Sequence, residues 1–367
     1  MHKLGVSIYP QNASIEENKK YLGLAAKHGF TRVFTCLISM KGDKEKAIRE
    51  FSEIMNYAKS LGMEVIADIS PSIFYEFNID YKELRFFSEL GLAGIRLDLG
   101  FTGIEESIMT FNPYGLKIEI NMSNGTRYLD NILSYIPNKE NLIGCHNFYP
   151  HRYTGLSRKH FIECSRRYKD YGIETAAFIS SKAATFGPWP VNEGLCTLEE
   201  HREIPIEIQA KDLFNTDLID NVIIANSFAS EDELKLLGEM NKNILCLSVN
   251  IYKNVPETER KIILDEIHFN RGDVSEYMIR STQSREKYAG HHFQVFNAKD
   301  IEIGDVLLDS SLYERYAGEL QIALKSMKNS GKTSIVAKID EEEIYLLEHI
   351  RPWQKFIFVE KCQNPML

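Results

Sequence analysis

Cysteine is sparse in this 367-residue chain: Cys36, Cys145, Cys164, Cys196, Cys246 and Cys362 are its six thiols, scattered too widely for a disulfide scaffold or a paired zinc-ligand motif. They read as reduced and mostly buried. Long apolar runs are missing, so no segment is expected to cross a bilayer. Neither an internal repeat nor a heptad seam points to a solenoid or coiled coil. Positive charge is in deficit, with 43 Lys and Arg against 52 Asp and Glu and a formal net charge of -9. Phosphate backbones and anionic membranes are therefore not generally attracted, and neither nucleic acid nor membrane is an expected partner, although a local basic pocket can still hold one phosphate. Met1-His2-Lys3 leads directly into the strand-like Leu4–Pro10, which leaves no room for a secretion signal and makes the cytoplasm the expected location.

What is present suits a large soluble core: 44% of residues are hydrophobic and 26% charged. The length exceeds one ordinary core and predicts two domains, residues 1–242 and 243–367. In the first, β-branched runs alternate with helical periodicity. Eight strands are expected, at Leu4–Pro10, Arg32–Ile38, Glu64–Ser70, Gly94–Gly100, Lys117–Ser123, Leu142–Phe148, Glu174–Ser180 and Val222–Ser227, and eight such βα units close a (β/α)₈ TIM barrel. Ser14 reads as a helix N-cap, and Gly29, Gly62, Gly91 and Gly172 as helix stops. An open doubly wound sheet is the weaker alternative, because no Gly-x-Gly-x-x-Gly follows the first strand. Beyond about residue 240 the signals shorten, at Val274–Ser281, His292–Phe296, Val306–Leu308, Lys332–Ile339 and Phe356–Glu360. They predict a smaller, mainly-β barrel-like domain, joined by a short ordered connection.

Catalytic groups in such a barrel emerge at the strand C-termini. Asp68 ends the third strand, Arg96 and Asp98 share one face of the fourth, and Glu119 and Asn121 share one face of the fifth. Unpaired carboxylates are expensive to bury, whereas acids grouped around an arginine can be held at different pKa values and divide acid and base roles, which suits glycosidic-bond cleavage. A structural ion pair explains Arg96 and Asp98 about as well when either is taken alone; the coincidence across three strands favours a site. His146, Asn147, Tyr149 and Arg152 follow strand six and mix hydrogen-bonding, aromatic and cationic groups suited to a sugar. His146 is assigned to substrate binding rather than proton transfer, although such a histidine is more often a satisfied core residue. The spacing of His146 and His151 has no adjacent carboxylate to complete a metal motif, so no metal or other cofactor is expected.

Strand seven runs through Ser180-Ser181-Lys182 into a long loop, Gly187–Arg202, where Thr197 can cap a helix beginning at Leu198 and Glu199 and Glu200 read as surface charge. In the second domain Arg280 and Arg285, with Ser281, Thr282 and Ser284 between them, suit a phosphate or carboxylate that reaches them at the barrel mouth, and equally a solvated turn.

The combination of Leu4-Gly5-Val6-Ser7-Ile8-Tyr9-Pro10, Arg96-Leu97-Asp98, His146-Asn147-Phe148-Tyr149-Pro150, Gly187-Pro188 with Glu193-Gly194-Leu195 and Thr197-Leu198-Glu199, His201-Arg202 and Ile279-Arg280-Ser281 resembles the MupG-type bacterial 6-phospho-N-acetylmuramidase family. The likeness covers nearly the whole chain, including Gly304-Asp305-Val306-Leu307 and Tyr316-Ala317-Gly318-Glu319-Leu320; Cys196 departs from it where proline is usual. It implies a TIM barrel followed by a cyclophilin-like β-barrel. The implied reaction is hydrolysis of 6-phospho-N-acetylmuramic acid from N-acetylglucosamine in peptidoglycan recycling, on a phosphorylated amino-sugar disaccharide. Phosphate and lactyl carboxylate then give Arg152, Lys182, Arg280 and Arg285 a purpose, with Glu193 in the matching loop motif. Glu119 is the expected general acid and Asp98 the nucleophile or cation stabiliser, with Asp68 the substitute for either. Two other readings stay open: a noncatalytic sugar-phosphate-binding or regulatory protein, and a sugar-phosphate aldolase or isomerase using Lys182 as an imine-forming amine.

Overall fold

The computed structural model describes residues 2–37, 44–189 and 193–361. Ile38 of the second expected strand, Pro190, Val191 and Asn192 of the long loop, and Cys362 lie outside the described residues. The chain divides into two compact units, Met1–Met240 and Asn241–Leu367.

The first unit is a closed barrel of eight parallel strands. They are β1 (Lys3–Ile8), β2 (Arg32–Cys36), β3 (Glu64–Ile69), β4 (Gly94–Leu97), β5 (Lys117–Asn121), β6 (Leu142–Cys145), β7 (Glu174–Ile179) and β8 (Asn221–Ile224). Lys3 to Val6 of β1 pair with Asn221 to Ile224 of β8 and close the ring. Each strand starts within a residue of its expected position and stops earlier, because the last residues of each sequence run have already turned into the rim loops.

Alternation sorts the strand residues into two cores. Val6, Val33, Val65, Ile95, Ile118 and Val222 face outward into the apolar layer beneath the helices. Phe34, Cys36, Cys145, Ala176, Phe178 and Ile223 fill the barrel interior. The helices follow their expected punctuation. Ser14 accepts from the Glu17 amide while Glu17 reaches back to the Ser14 amide, forming a full capping box. Gly29, Gly62, Gly91 and Gly172 all take positive φ just before a strand.

The second unit is a nearly closed, mixed seven-stranded β-barrel. Its strands are β9 (Leu245–Ile251), β10 (His268–Phe269), β11 (Met278–Ser281), β12 (Asp305–Asp309), β13 (Leu320–Ala323), β14 (Thr333–Ile339) and β15 (Lys355–Glu360). The order is β10-β15-β9-β14-β12-β13-β11, with β9 and β15 parallel and the other pairs antiparallel. The ends approach where the Arg271 amide donates to the Arg280 carbonyl at 2.9 Å.

Two sequence expectations fail here. His292–Phe296 is not a strand: the Phe293 and Phe296 amides donate to the hydroxyls of Ser311 and Ser334 instead of a ladder, while the Phe293 ring is buried. Val274–Ser281 shortens to β11, and β9, β10 and β13 carry pairing that the sequence reading did not assign.

Gly94 opens β4 on the inward phase, where a Cβ would lie 2.6 Å from both the Lys117 carbonyl oxygen and Ile66 Cδ1. Backbone cannot yield as a flexible side chain does. Gly94→Ala is expected to destabilise the barrel by about 1–3 kcal/mol through overpacking, read as a lower urea midpoint; an unchanged midpoint would mean that β5 moves freely.

Candidate active site

Cys36, Asp68, Arg96 and Glu119 are successive register partners on β2, β3, β4 and β5, so all four turn into the barrel. Arg96 is the hub. Its Nη1 lies 3.0 Å from Asp68 Oδ1 and 3.3 Å from Asp98 Oδ1, its Nη2 donates to Asn147 Oδ1, and its Nε faces Glu119 Oε1 at 3.8 Å. Asn121 Nδ2 donates to Asp98 Oδ1 at 3.1 Å, and its own Oδ1 accepts the Ser123 amide, which fixes the amide orientation. The sequence reading thus names the residues that meet here, but the structure separates them by depth. The Asp98 side chain is 46% exposed and Asp68 16%, while Glu119 has no exposure and is ion-paired to Arg32.

That difference bears on the role expected of Glu119. Its carboxyl is fully buried, paired to Arg32 and facing Arg96, whereas a general acid must come within hydrogen-bond reach of the leaving oxygen. Asp68 is less enclosed. Burial and the nearby Asp98 charge push its pKa up, against the opposing pull of Arg96.

His146 lies apart from the inward-facing acids. It falls on the outward phase after Cys145 and is fully buried, with Ser123 Oγ 3.0 Å from Nδ1 and Ser165 Oγ 2.8 Å from Nε2. Ser165 already donates to the Phe161 carbonyl, so Nε2 carries the proton and Nδ1 accepts from Ser123. Burial lowers the ring pKa to about 3, and the ring stays neutral. Ser123 in turn accepts the Asn147 amide at 2.9 Å. His146 therefore braces Ser123 and, through it, the Asn147 backbone. Tyr149 is half-buried, and burial pushes its hydroxyl pKa up against the opposing pull of Ser123 and Arg96.

The β6 and β7 loops are tied together by residues that sequence alone read as helix ending and surface charge. Thr197 caps nothing; its Oγ1 accepts the Phe178 amide and donates to the Asn147 carbonyl. Arg202, with a buried side chain, donates to the carbonyls of Tyr149, His151, Glu193 and Gly194 and grips both oxygens of Glu199 at 2.7 Å. Glu199 accepts the Tyr153 and Gly155 amides. Arg202 holds the Glu199 carboxyl at about 2, below its usual 4.5.

On this clamp sit Arg152, whose amide donates to Glu193 Oε2 and whose guanidinium pairs with exposed Glu203, and Lys182, whose Nζ donates to the Glu203 carbonyl. Aromatic rings continue upward from Phe34 and Phe178 through Phe148 to exposed Trp189, at centroid spacings of 5.0 to 6.0 Å. Arg32 and Trp189 are the residues the sequence reading passed over. A charge on the inward phase of β2 was the available signal for the first, and an aromatic in a rim loop for the second.

Arg280 and Arg285 belong to the second unit, where both meet buried Glu319, at 2.7 and 3.3 Å, and the Arg285 guanidinium lies 5.5 Å over the Tyr316 ring. Among the described residues no cluster of three His, Cys, Asp or Glu is arranged to hold a metal ion, and no helix is long and apolar enough to cross a membrane.

Comparison with known proteins matches residues 4–239 to the family described as 6-phospho-N-acetylmuramidase, N-terminal, and residues 245–359 to its C-terminal counterpart. No curated protein matches the chain. An uncharacterized B. cereus protein of known structure is 49% identical over 98% of this chain and 100% of its own, with a TM-score of 0.89. A conserved Enterococcus faecalis protein of unknown function shares the fold at 23% identity, covering 98% of this chain and 97% of its own, with a TM-score of 0.69.

The clamp is testable without substrate. Glu199 has its folded pKa below the unfolded value, so its contribution is complete above pH 4.5 and lost as pH falls toward 2. In Arg202→Met, the Tyr153 and Gly155 amides are expected to lose hydrogen-exchange protection at neutral pH. In the parent protein, after correction for intrinsic rates, that protection is expected to fade only below pH 4.5; equal protection in the variant would show that the clamp does not hold the loop.

Proposed function

The chain belongs to the 6-phospho-N-acetylmuramidase family, and from that premise we propose that Asp68 protonates the departing glycosidic oxygen while Asp98 attacks the anomeric carbon. The protein is a glycosidase, and its substrate is a phosphorylated amino sugar. The specific substrate we assign is the wall-derived disaccharide of 6-phospho-N-acetylmuramic acid and N-acetylglucosamine, cleaved in the cytoplasm after phosphorylating uptake. A noncatalytic binder and a sugar-phosphate aldolase or isomerase are set aside with the family established, and Lys182 Nζ donates to the Glu203 carbonyl.

One observation carries the assignment. A single guanidinium holds two aspartates in unlike settings, Asp68 enclosed with a raised pKa and Asp98 open to solvent. Carboxyl groups pushed apart in this way divide acid and nucleophile roles. In the first step a bond forms from Asp98 to the anomeric carbon as the bond to the leaving oxygen breaks, and that oxygen takes the Asp68 proton. In the second, water gives a proton back to Asp68 and displaces Asp98. The two acceptor oxygens share one Nη1 at 3.0 and 3.3 Å, which keeps them closer than the separation of about 6.5–9.5 Å that inversion uses and favours retention.

Asn121, Asn147 and Tyr149 supply hydrogen bonds to the sugar, and Trp189 a face for its ring to stack on. Arg152 and Lys182, converging on Glu203 at the β6–β7 side of the rim, suit the phosphate, with Glu193 setting the Arg152 backbone. Arg280 and Arg285, brought together on Glu319, offer the second unit an anion-recognising pair.

Product analysis with paired phosphorylated and unphosphorylated disaccharides tests the reading. Two monosaccharides are expected from the phosphorylated substrate alone, with the new reducing end retaining its anomeric configuration by proton NMR. Asp68→Asn and Asp98→Asn are each expected to cut turnover by about 10²–10⁴-fold or more. An activated aryl leaving group should rescue Asp68→Asn and not Asp98→Asn. Because the acid works protonated and its pKa is raised, kcat/KM is expected to fall on the alkaline side at a pH above the ordinary carboxylate value of 3.8. Near-normal turnover in both variants would remove the assignment.

A further inference from the structure

We infer that Arg32 is a positioning residue for the reaction, acting through Glu119 to keep Arg96 in the service of the two aspartates. The inference rests on the Asp68 and Asp98 reading and extends it below the mouth. Arg32 begins β2 on the same inward phase as Phe34 and Cys36, and its guanidinium, only 3% exposed, reaches up the barrel to Glu119 Oε2. A buried carboxylate has two candidate cations here. Arg32 takes it in a direct hydrogen bond, while the other oxygen, Oε1, stops 3.8 Å short of Arg96 Nε. Neither Glu119 Oε1 nor Arg96 Nε has a hydrogen-bond partner, so the gap between them stays open although both would gain by closing it.

The consequence lies at the opposite edge of the Arg96 guanidinium. With Nε left out of the Glu119 bond, the terminal nitrogens remain at Asp68, Asp98 and Asn147. Without Arg32, Glu119 would be a buried carboxylate with one cation left, and the guanidinium would be drawn down the barrel to it. Displacing a catalytic contact by a fraction of its length is enough to cost heavily in rate. The other charged groups are accounted for. Arg32 also faces Glu64, Glu174 and the Cys145 thiol, and Asp68 faces Arg96, Asp98, the Cys36 thiol and the Tyr9 hydroxyl. None of these replaces the Arg32–Glu119 contact.

The test uses the full-length protein with Arg32→Met, Arg32→Lys and the double variant Arg32→Met/Glu119→Gln, in which the buried pair becomes neutral at similar volume. In Arg32→Met, kcat is expected to fall by about 10²-fold with KM little changed, and the alkaline limb of kcat/KM to move to higher pH as Arg96 leaves Asp68. Arg32→Lys should recover part of kcat. The double variant should return the limb to its original position and recover most of kcat, because the neutral amide no longer pulls on Arg96. A purely structural Arg32 would lower the yield or the unfolding midpoint and leave the limb in place. An unmoved limb in Arg32→Met overturns the inference, as does a double variant as slow as the single one. Failure of the underlying reading has a different signature: Asp68→Asn and Asp98→Asn would keep their turnover.

Discussion

A guanidinium sealed inside a barrel is tolerable only if carboxylates surround it, and that requirement at Arg96 organises the active end of this protein. Taking an ion out of water costs several kcal/mol even after relaxation, so the interior cannot carry Arg96 without acids on the neighbouring staves. Asp68 and Asp98 meet it above and Glu119 below. With carboxyl groups on three sides of one guanidinium, the sealed Glu119 calls for a second cation, and Arg32 supplies it from the barrel floor. The residues that satisfy the burial requirement include the two aspartates proposed as acid and nucleophile. Stability and function are written in one ion cluster.

Much of this was legible in strand parity. Asp68, Arg96, Asp98, Glu119 and Asn121 all occupy inward positions, which sequence alternation states directly. Depth was not legible. Asp68, Arg96 and Glu119 are register partners, yet strands in a closed barrel are tilted and staggered, so register partners need not sit at one height above the floor. Glu119 ends in the sealed part and Asp68 at the opening, a difference no pattern of residue types encodes. The position of His146 has another origin. It follows inward Cys145 and so points outward beneath the helix Arg158–Asp170, where Ser165 and Phe161 receive it; parity carried one residue further would have placed it.

The second unit was less legible because its ladders are set by pairing between distant strands. β9 alternates cleanly in burial, but nothing local says that it pairs with β15 in parallel and β14 antiparallel. His292–Phe296 has strand-like residues and still forms no strand, since serine hydroxyls answer its backbone groups. Local propensity proposes; available partners decide.

The rim divides its ion pairs into two kinds, and the division matches what a binding site needs. Arg202 and Glu199 are shielded, multiply bonded and spent on the loop backbone, so they set geometry. Arg152 and Glu203 form an exposed pair, with side chains 44% and 69% accessible, of the sort that contributes little net free energy in water. A cation whose partner is weakly held can exchange it for a phosphate at small cost, whereas freeing Arg202 would unmake both loops. An anion site drawn from the exposed pair, as proposed, therefore leaves the Arg96 ion cluster undisturbed. A scaffold that separates the charges it cannot move from the charges it can trade is suited to a phosphorylated sugar.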